Sequence, residues 1–143
     1  MAVDGLSDRS VRAVLAGTRR IAVVGASASP WRPSNGVMGF LLRQGFDVTP
    51  VNPRIAGQTL HGRVVVESLA DAAPLEMVDV FRAPQHVGAL MEEAIRLGAK
   101  AVWLQLGVID EVAAAAGRAA GLTVVMNRCP AIEWPRLGLR APR

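Results

Sequence analysis

Apolar residues in this chain alternate between runs with helical spacing and short continuous runs typical of buried strands. Three helical runs pass through a single glycine, at Gly45, Gly98 and Gly121, directly into a β-branched run. Glycine closes a helix at such a joint because it adopts positive φ without a Cβ penalty. The alternation predicts an α/β fold: a Rossmann-like, doubly wound parallel sheet in a single domain, with helices on both faces.

The same pattern predicts the elements in chain order. Helices are expected at residues 8–16, after an N-cap at Ser7, and at 34–44, 85–97 and 111–120. Strands are expected at 21–25, 47–51, 77–82, 101–104 and 123–126, with a further short strand at 63–66. Residues 1–19 are interpreted as a helical extension, and the proline-containing tail at 128–143 is expected to be irregular.

Composition narrows the class of protein. With 143 residues, 51% of them hydrophobic, the chain is long enough to bury one core without disulfides or metals, and Cys129 is its one cysteine. The first residues lack a basic start and an apolar leader, and the apolar runs are far shorter than the roughly 20 residues of a membrane span. We therefore expect a cytoplasmic protein with no membrane segment.

Charge points weakly to an anionic ligand. The net charge of +4 comes from fifteen arginines and one lysine against twelve acids, and the arginines are scattered rather than clustered. A solvated arginine-rich surface is the simpler explanation of this charge. Only six residues are aromatic, and no nucleic-acid recognition motif is present, so nucleic acid is not an expected partner.

The first predicted strand runs into a loop that is typical of phosphate binding. The loop keeps Gly25 but has Ala26, Ser27, Ala28 and Ser29 where a dinucleotide fingerprint would repeat its glycines. The helix that follows begins near Ser34, with Arg32 just before it, so its free N–H groups and dipole favour a diphosphate. The simpler alternative is that Ser34 is an ordinary N-cap and that Arg32 lies in solvent.

The end of the second predicted strand argues against NAD. An NAD site has an acid there for the ribose hydroxyls, whereas this chain has Asn52, Pro53 and Arg54. An arginine suits a ribose that carries an extra phosphate, as in NADP or coenzyme A, although a loop charge facing water is as plausible.

No catalytic constellation is evident in the sequence. His61 and His86 have no carboxylate at triad or metal spacing, and they are interpreted as surface or capping residues. Cys129 is interpreted as a small buried residue whose place at a strand end leaves it open to a ligand thiol. No metal site is predicted.

Seven segments taken together resemble those of a known family. They are Val24-Gly-Ala-Ser27, Arg32-Pro-Ser34, Val51-Asn-Pro-Arg54, Ser68-Leu-Ala-Asp71, Val80-Phe-Arg82, Val102-Trp-Leu-Gln105 with Gly107-Val108, and Val124-Val-Met-Asn-Arg-Cys129. In this order, over about residues 20–137, the chain resembles the small stand-alone CoA-binding proteins, which are similar to the CoA-binding domain of the succinyl-CoA synthetase α subunit. It departs from their pattern at Asn127, where an acid is common, and at Ile55, where the synthetase has a lysine.

The resemblance implies a binding protein for coenzyme A or acyl-CoA that is non-catalytic by itself. It places the nucleotide and diphosphate near residues 27–32 and 52–54, with further contacts at 81–84 and 104–107. The complete expected site is Gly25, Ala26, Ser27, Ala28, Ser29, Arg32, Ser34, Asn52, Pro53, Arg54, Arg82, Pro84, Gln105 and Gly107. The alternatives are an NADP-dependent reductase and a regulatory Rossmann module that docks a protein partner.

Overall fold

A computed structural model describes residues 2–140 of the chain. Its core is a five-stranded parallel sheet. Two further strands form a small antiparallel hairpin. The strands, numbered along the chain, are β1 (Arg20–Val24), β2 (Asp47–Val51), β3 (Thr59–Leu60), β4 (Arg63–Val64), β5 (Met77–Val80), β6 (Ala101–Leu104) and β7 (Thr123–Met126).

The sheet is doubly wound. Its order is β2-β1-β5-β6-β7, so the chain moves outward from β1 to β2 and then crosses to the other side of β1 to form β5. All neighbouring strands of this sheet are parallel, and Val24 of β1 lies between Val51 of β2 and Val80 of β5. The strand order therefore reverses between β1 and β5, which confirms the predicted α/β, Rossmann-like fold and identifies the position where such sheets bind ligands.

Helices cover both faces of the sheet and enclose two apolar cores. The helices are α1 (Asp8–Gly17), α2 (Pro33–Arg43), α3 (Val87–Arg96), α4 (Glu111–Ala119) and α5 (Pro130–Arg136). Buried residues of α1, α2 and α5 form one core with one face of the sheet, which includes the fully buried Trp103. Buried residues of α3 and α4 form the other core on the opposite face.

The three predicted glycine joints are confirmed. Gly45, Gly98 and Gly121 have φ values of 96°, 79° and 92°. At the end of α2, the N–H of Gly45 donates to Leu42 O and the N–H of Phe46 donates to Leu41 O. These bonds satisfy carbonyls that the helix leaves free and turn the chain toward β2.

The expected irregular tail at 128–143 is wrong for residues 130–136, which form α5. Prolines suggested an irregular segment, but Pro130 occupies the first helical turn, where no N–H is needed. Trp134 of this helix packs edge-on against Phe46, with ring centroids 5.3 Å apart. The last three residues of the predicted tail lie outside the described part of the chain.

The remaining elements agree with the predicted ones or differ from them only slightly. The N-terminal helix begins after the expected N-cap, since Ser7 Oγ accepts from Ser10 N. The strand expected at 63–66 is only Arg63–Val64, paired with β3 across a turn at His61 and Gly62, both with positive φ. Three short 3-10 helices also occur, at Pro53–Ile55, Leu69–Ala72 and Pro84–His86, and the last of these precedes α3.

None of the helices in residues 2–140 is long and apolar enough to cross a membrane.

An ion-pair network, which we call the N-terminal clasp, holds the N-terminal segment against α5. It consists of Asp4, Arg128, Glu133, Arg136 and Asp8. Arg128 donates to both carboxylate oxygens of Asp4 at 2.8 and 2.9 Å and to Glu133 at 2.7 Å. Asp4 and Glu133 are buried, so the two ion pairs of Arg128 lie inside the protein, whereas the pair of Asp8 with Arg136 is exposed.

Candidate functional site

A cavity of about 800 Å³ opens at the carboxyl ends of the strands, at the point where the strand order reverses. Residues from the ends of β1, β2, β5 and β6, the start of α2 and the start of α5 line it. Its volume is in the range of pockets that hold drug-sized and cofactor-sized ligands.

Gly25 is required by the close approach of β1 to β5. Its φ is 88°, and a Cβ added to it would lie 2.5 Å from the carbonyl oxygen of Phe81. No other residue type fits this backbone without displacing the end of β5. Gly25 N and Ala26 N both donate to Val51 O, so the same loop is tied to the end of β2.

Side chains fix the loop that leads into α2. Asn52 Nδ2 donates to Ala26 O at 2.8 Å, while Asn52 Oδ1 accepts from Arg54 N at 2.9 Å. Asn35 Nδ2 donates to Ser27 O at 2.8 Å. The loop between Gly25 and α2 is therefore held from both sides, and its backbone is preorganised before any ligand arrives.

The start of α2 faces the cavity. Arg32 occupies the N-cap position without a side-chain cap, Pro33 follows it, and Ser34 is buried in the first turn and lines the cavity. The alternative that Ser34 is an ordinary N-cap is wrong, because Pro33 moves the start of the helix one residue earlier. Pro33 has no N–H and Asn35 N donates to Arg32 O, so the helix presents the N–H of Ser34 and the positive end of its dipole to the cavity.

Charge is distributed unevenly across the cavity. Arg32 and Arg54 stand at the β2 and α2 side, and Arg82 follows β5. The opposite side, after β6 and β7, is lined by the uncharged Gln105, Leu106, Val108 and Cys129. Since neighbouring strands lie about 4.8 Å apart, the two sides are separated by roughly 14 Å along the sheet edge.

A buried carboxyl group lies next to the uncharged side. Asp79, in the middle strand β5, is fully buried beside Val23 of β1 and Trp103 of β6. Its Oδ1 accepts from Gln105 Nε2 at 2.8 Å, and its Oδ2 has no hydrogen-bond partner among residues 2–140. Burial raises the pKa of Asp79 to about 7, and the Gln105 hydrogen bond offsets this only in part.

The cavity brings together most of the residues expected from the sequence. Eleven of them line it, namely Gly25, Ala26, Ser27, Ser29, Arg32, Ser34, Asn52, Pro53, Arg54, Arg82 and Gln105. Three do not line it: Ala28 and Pro84 are exposed beside it, and Gly107 lies in the turn after β6, where its N–H donates to Asn127 Oδ1 at 2.8 Å. Which side chains line the cavity depends on where each loop turns. The positions of the strand ends do not specify these turns.

Some contributors are absent from the expected site, among them Val108, which lines the cavity, and Asp79, which lies behind Gln105. Phe81 and Leu106 also line the cavity, and they fall within the ranges 81–84 and 104–107 where the resemblance implies further contacts. The signal for Asp79 was present in the sequence, since a single acid interrupts the otherwise apolar strand β5. Strand periodicity does not reveal that Gln105 of a neighbouring strand faces it.

The two histidines lie at exposed positions, and the cysteine is buried at the cavity wall. His61 is exposed, and its Nε2 lies 3.0 Å from Asn35 O, with its ring against Gly39 of α2. His86 is exposed at the start of α3. Cys129 is buried at the cavity wall, and burial raises the pKa of its thiol. In residues 2–140, no group of three His, Cys, Asp or Glu side chains is placed to hold a metal ion.

Comparison with known proteins gives one family. Residues 19–135 match the family model described as the CoA binding domain. The Bacillus subtilis (strain 168) protein YneT is 33% identical over 124 residues, which are 86% of this chain and 90% of YneT.

Solved structures agree with this result. A protein from Pyrococcus horikoshii OT3 is 40% identical, with a TM-score of 0.89 and 96% of each chain covered. A protein from Thermus thermophilus is 39% identical, with a TM-score of 0.87, covering 92% of this chain and 99% of that one. A Rex-family repressor in complex with β-NADH has a TM-score of 0.59 at 15% identity, with 53% of its chain covered, and this similarity shows the fold alone.

Proposed function

The chain belongs to the CoA-binding domain family, and from this premise we propose that it binds coenzyme A or an acyl-CoA in the cavity and is non-catalytic by itself. The uneven charge of the cavity supports the proposal most directly. Arginines and the start of α2 lie on one side, and uncharged residues line the other. Coenzyme A has the same asymmetry, with phosphates at one end and an uncharged pantetheine arm at the other.

In the proposed complex, the phosphates face Arg32, Arg54 and the start of α2, where the N–H of Ser34 is available. Arginine pairs with phosphate through two parallel hydrogen bonds, and a helix N-terminus adds a favourable dipole. Arg54 follows β2, where Asn52 accepts from its backbone N–H and fixes the turn. We assign Arg54 to the 3′-phosphate and Arg32 to the diphosphate.

The pantetheine arm runs along the sheet edge toward Gln105, Leu106 and Cys129. These residues offer one amide and a largely apolar surface, which suits a chain of methylenes and two amides. No acid, histidine or lysine lines the cavity in the described part of the chain. Apart from the arginines, the titratable side chain in the lining formed by residues 2–140 is Cys129, whose pKa is raised by burial, and the proposal assigns ligand binding to the cavity.

Calorimetry with coenzyme A and dephospho-CoA tests the proposal. Micromolar or tighter binding of coenzyme A is expected, and Arg54→Ala weakens it about tenfold or more, since a charge-assisted hydrogen bond is lost. The same variant binds both ligands alike. Arg63→Ala is the matched control, because Arg63 is an exposed arginine outside the cavity that pairs with Asp47. Indifference of the wild type to the 3′-phosphate would remove Arg54 from its assigned role.

One observation favours NADP as a second candidate ligand. Arg54 stands at the end of β2, where Rossmann domains contact the 2′-position of the adenosine ribose. Titration with NADPH in the same calorimeter separates the two. Saturable binding of NADPH without binding of coenzyme A would reverse the ranking, and binding of neither would favour a module that docks a protein partner.

A further inference from the structure

The pair formed by Asp79 and Gln105 connects the buried core to the cavity. Gln105 lines the cavity, while its Nε2 donates to Asp79 Oδ1 at 2.8 Å. An ionised carboxylate only accepts hydrogen bonds, so it holds the NH2 end of the amide toward itself. The carbonyl oxygen of Gln105 is then the amide atom left for a ligand, and the cavity has an acceptor at this point.

Protonation of Asp79 changes what the pair can do. A neutral carboxyl has one O–H donor, which can donate to the carbonyl oxygen of Gln105. The amide then turns over, and its NH2 group faces the cavity as a donor. Oδ2 of Asp79 has no other partner among residues 2–140, so no competing hydrogen bond fixes the carboxyl in one state.

We propose that Asp79 is a positioning residue whose protonation state determines whether Gln105 offers an acceptor or a donor to the ligand. This inference rests on the proposed function, because it assigns the ligand group that Gln105 recognises. With Asp79 ionised, Gln105 accepts from an N–H or S–H donor, which the pantetheine amides and the thiol of coenzyme A provide. With Asp79 protonated, that hydrogen bond is lost, and affinity for coenzyme A falls as the pH decreases.

The surroundings of Asp79 allow it to titrate near neutral pH. Its pKa is raised to about 7 by burial, and neither this burial nor the Gln105 hydrogen bond involves an arginine of the cavity. Val23 and Trp103 flank it in the sheet, and Ser34 and Val37 of α2 line the cavity on the same side. From α5, the titratable neighbour is Cys129, whose thiol stays neutral because burial raises its pKa.

The test compares coenzyme A binding by the wild type and by Asp79→Asn between pH 5.5 and 8.5. The 3′-phosphate of the ligand also titrates in this range, but it is common to both experiments. The ratio of the two affinities therefore isolates Asp79. We expect the wild type to gain about fivefold relative to Asp79→Asn as the pH rises, since one hydrogen bond is gained. Calorimetry near pH 7 in two buffers is expected to show more proton release on binding by the wild type than by Asp79→Asn.

Two further measurements identify the ligand group and guard against a variant that does not fold. Acetyl-CoA lacks the thiol hydrogen but keeps both amides; an unchanged pH effect assigns the contact to an amide, and a lost effect assigns it to the thiol. In the free wild-type protein, the side-chain 15N–1H resonances of Gln105 are expected to shift with a midpoint near pH 7. A pH-independent Gln105 amide would overturn the proposal without any variant.

The outcomes separate this inference from the proposed function. Coenzyme A binding with a constant affinity ratio across the pH range would overturn the role of Asp79 and leave the proposed function intact. Absence of coenzyme A binding by both proteins at every pH would overturn both. Gln105→Met gives an independent check, because it keeps the side-chain volume and removes the amide, so its affinity is expected to lack the pH effect as well.

Discussion

Asp4 and Asp79 are both buried carboxyl groups, yet their surroundings drive their pKa values in opposite directions. Asp4, in the N-terminal clasp, accepts from the Arg128 guanidinium and from the backbone N–H groups of Leu6 and Met126. Burial is the largest single effect on its pKa and raises it, but the hydrogen bonds together hold the pKa below its usual value. The carboxyl group of Asp79, behind the cavity wall, has Gln105 as its one hydrogen-bond partner among residues 2–140, and its pKa is raised to about 7.

The number of hydrogen-bond partners, rather than burial, therefore decides whether the pKa of a buried acid is lowered or raised. A fully satisfied carboxylate keeps one charge state and fixes two segments together. A partly satisfied one changes its charge state near neutral pH, at a cost in stability. The clasp lies away from the cavity lining, whereas Asp79 lies directly behind it.

Removing Arg128, the central cation of the clasp, is expected to have the largest effect on stability. Arg128→Met leaves the buried carboxylates of Asp4 and Glu133 without their shared partner, which costs about 3–5 kcal/mol of unfolding free energy. Urea denaturation at pH 7 measures it. Arg63→Met is the matched control, since Arg63 and Asp47 are exposed, and less than about 1 kcal/mol is expected there. Equal losses in the two variants would contradict the distinction between the clasp and a surface pair.

Replacing Asp79 with a neutral residue is expected to increase the stability of the protein at alkaline pH. The pKa of Asp79 rises from 3.8 to about 7 on folding, so its favourable contribution is complete below pH 3.8 and is lost as the pH rises toward 7. Asp79→Asn therefore stabilises the protein at pH 8.5 by up to about 4 kcal/mol and changes little at pH 4. The urea midpoints of wild type and variant over pH 4–9 measure this difference in stability. A variant that is less stable than the wild type at pH 8.5 would show that ionised Asp79 does not destabilise the fold.

The same chemical change in the clasp is expected to have the opposite sign. Asp4→Asn removes charge-assisted hydrogen bonds and destabilises the protein by about 2 kcal/mol at pH 7–8. Because the pKa of Asp4 is lowered on folding, its contribution is present above pH 3.8 and is lost as the pH falls through the folded value. The difference between variant and wild type therefore shrinks in acid, as thermal unfolding from pH 2.5 to 8 would show.

The smallest expected effect is on the thiol near Asp79. Burial, and to a lesser extent the charges of Asp79 and Glu133, raise the pKa of Cys129. Its alkylation by iodoacetamide at pH 8 is expected to be slower than that of a free thiol, and Asp79→Asn accelerates it about twofold to threefold by removing one negative charge. Asp4→Asn serves as the comparison, and an equal acceleration there would point to general loosening of the structure rather than to charge.

Much of the fold was predictable from local patterns. Strand and helix positions followed from apolar periodicity, and the three glycine joints from the left-handed conformation that helix ends require. The tail was the main error, because Pro130 was interpreted as a breaker although the first turn of a helix accepts proline. What stabilises α5, the ion pair of Arg136 with Asp8 and the packing of Trp134 on Phe46, joins residues that are far apart in the sequence.

The site was predictable at the level of strand ends and less so at the level of side chains. Gly25, Asn52 and Arg54 follow buried strands, and parallel strands bring their carboxyl ends to one edge. Pro84 and Gly107 also follow strands, but the turns after β5 and β6 direct them away from the cavity. Turn geometry depends on partners such as Asn127, which bonds Gly107 from a neighbouring strand.

Periodicity and residue chemistry were enough to predict the α/β class, the order of its elements and the basic, glycine-containing loops at the strand ends. The pairing of the buried acids follows from tertiary contacts. The sequence shows that Asp79 interrupts an apolar strand, but it does not show that Arg128, 124 positions away, pairs with Asp4 or that Gln105 faces Asp79. Because the charge of a carboxyl group in a low-dielectric interior depends strongly on such partners, these contacts lower the pKa of Asp4 and leave the pKa of Asp79 raised.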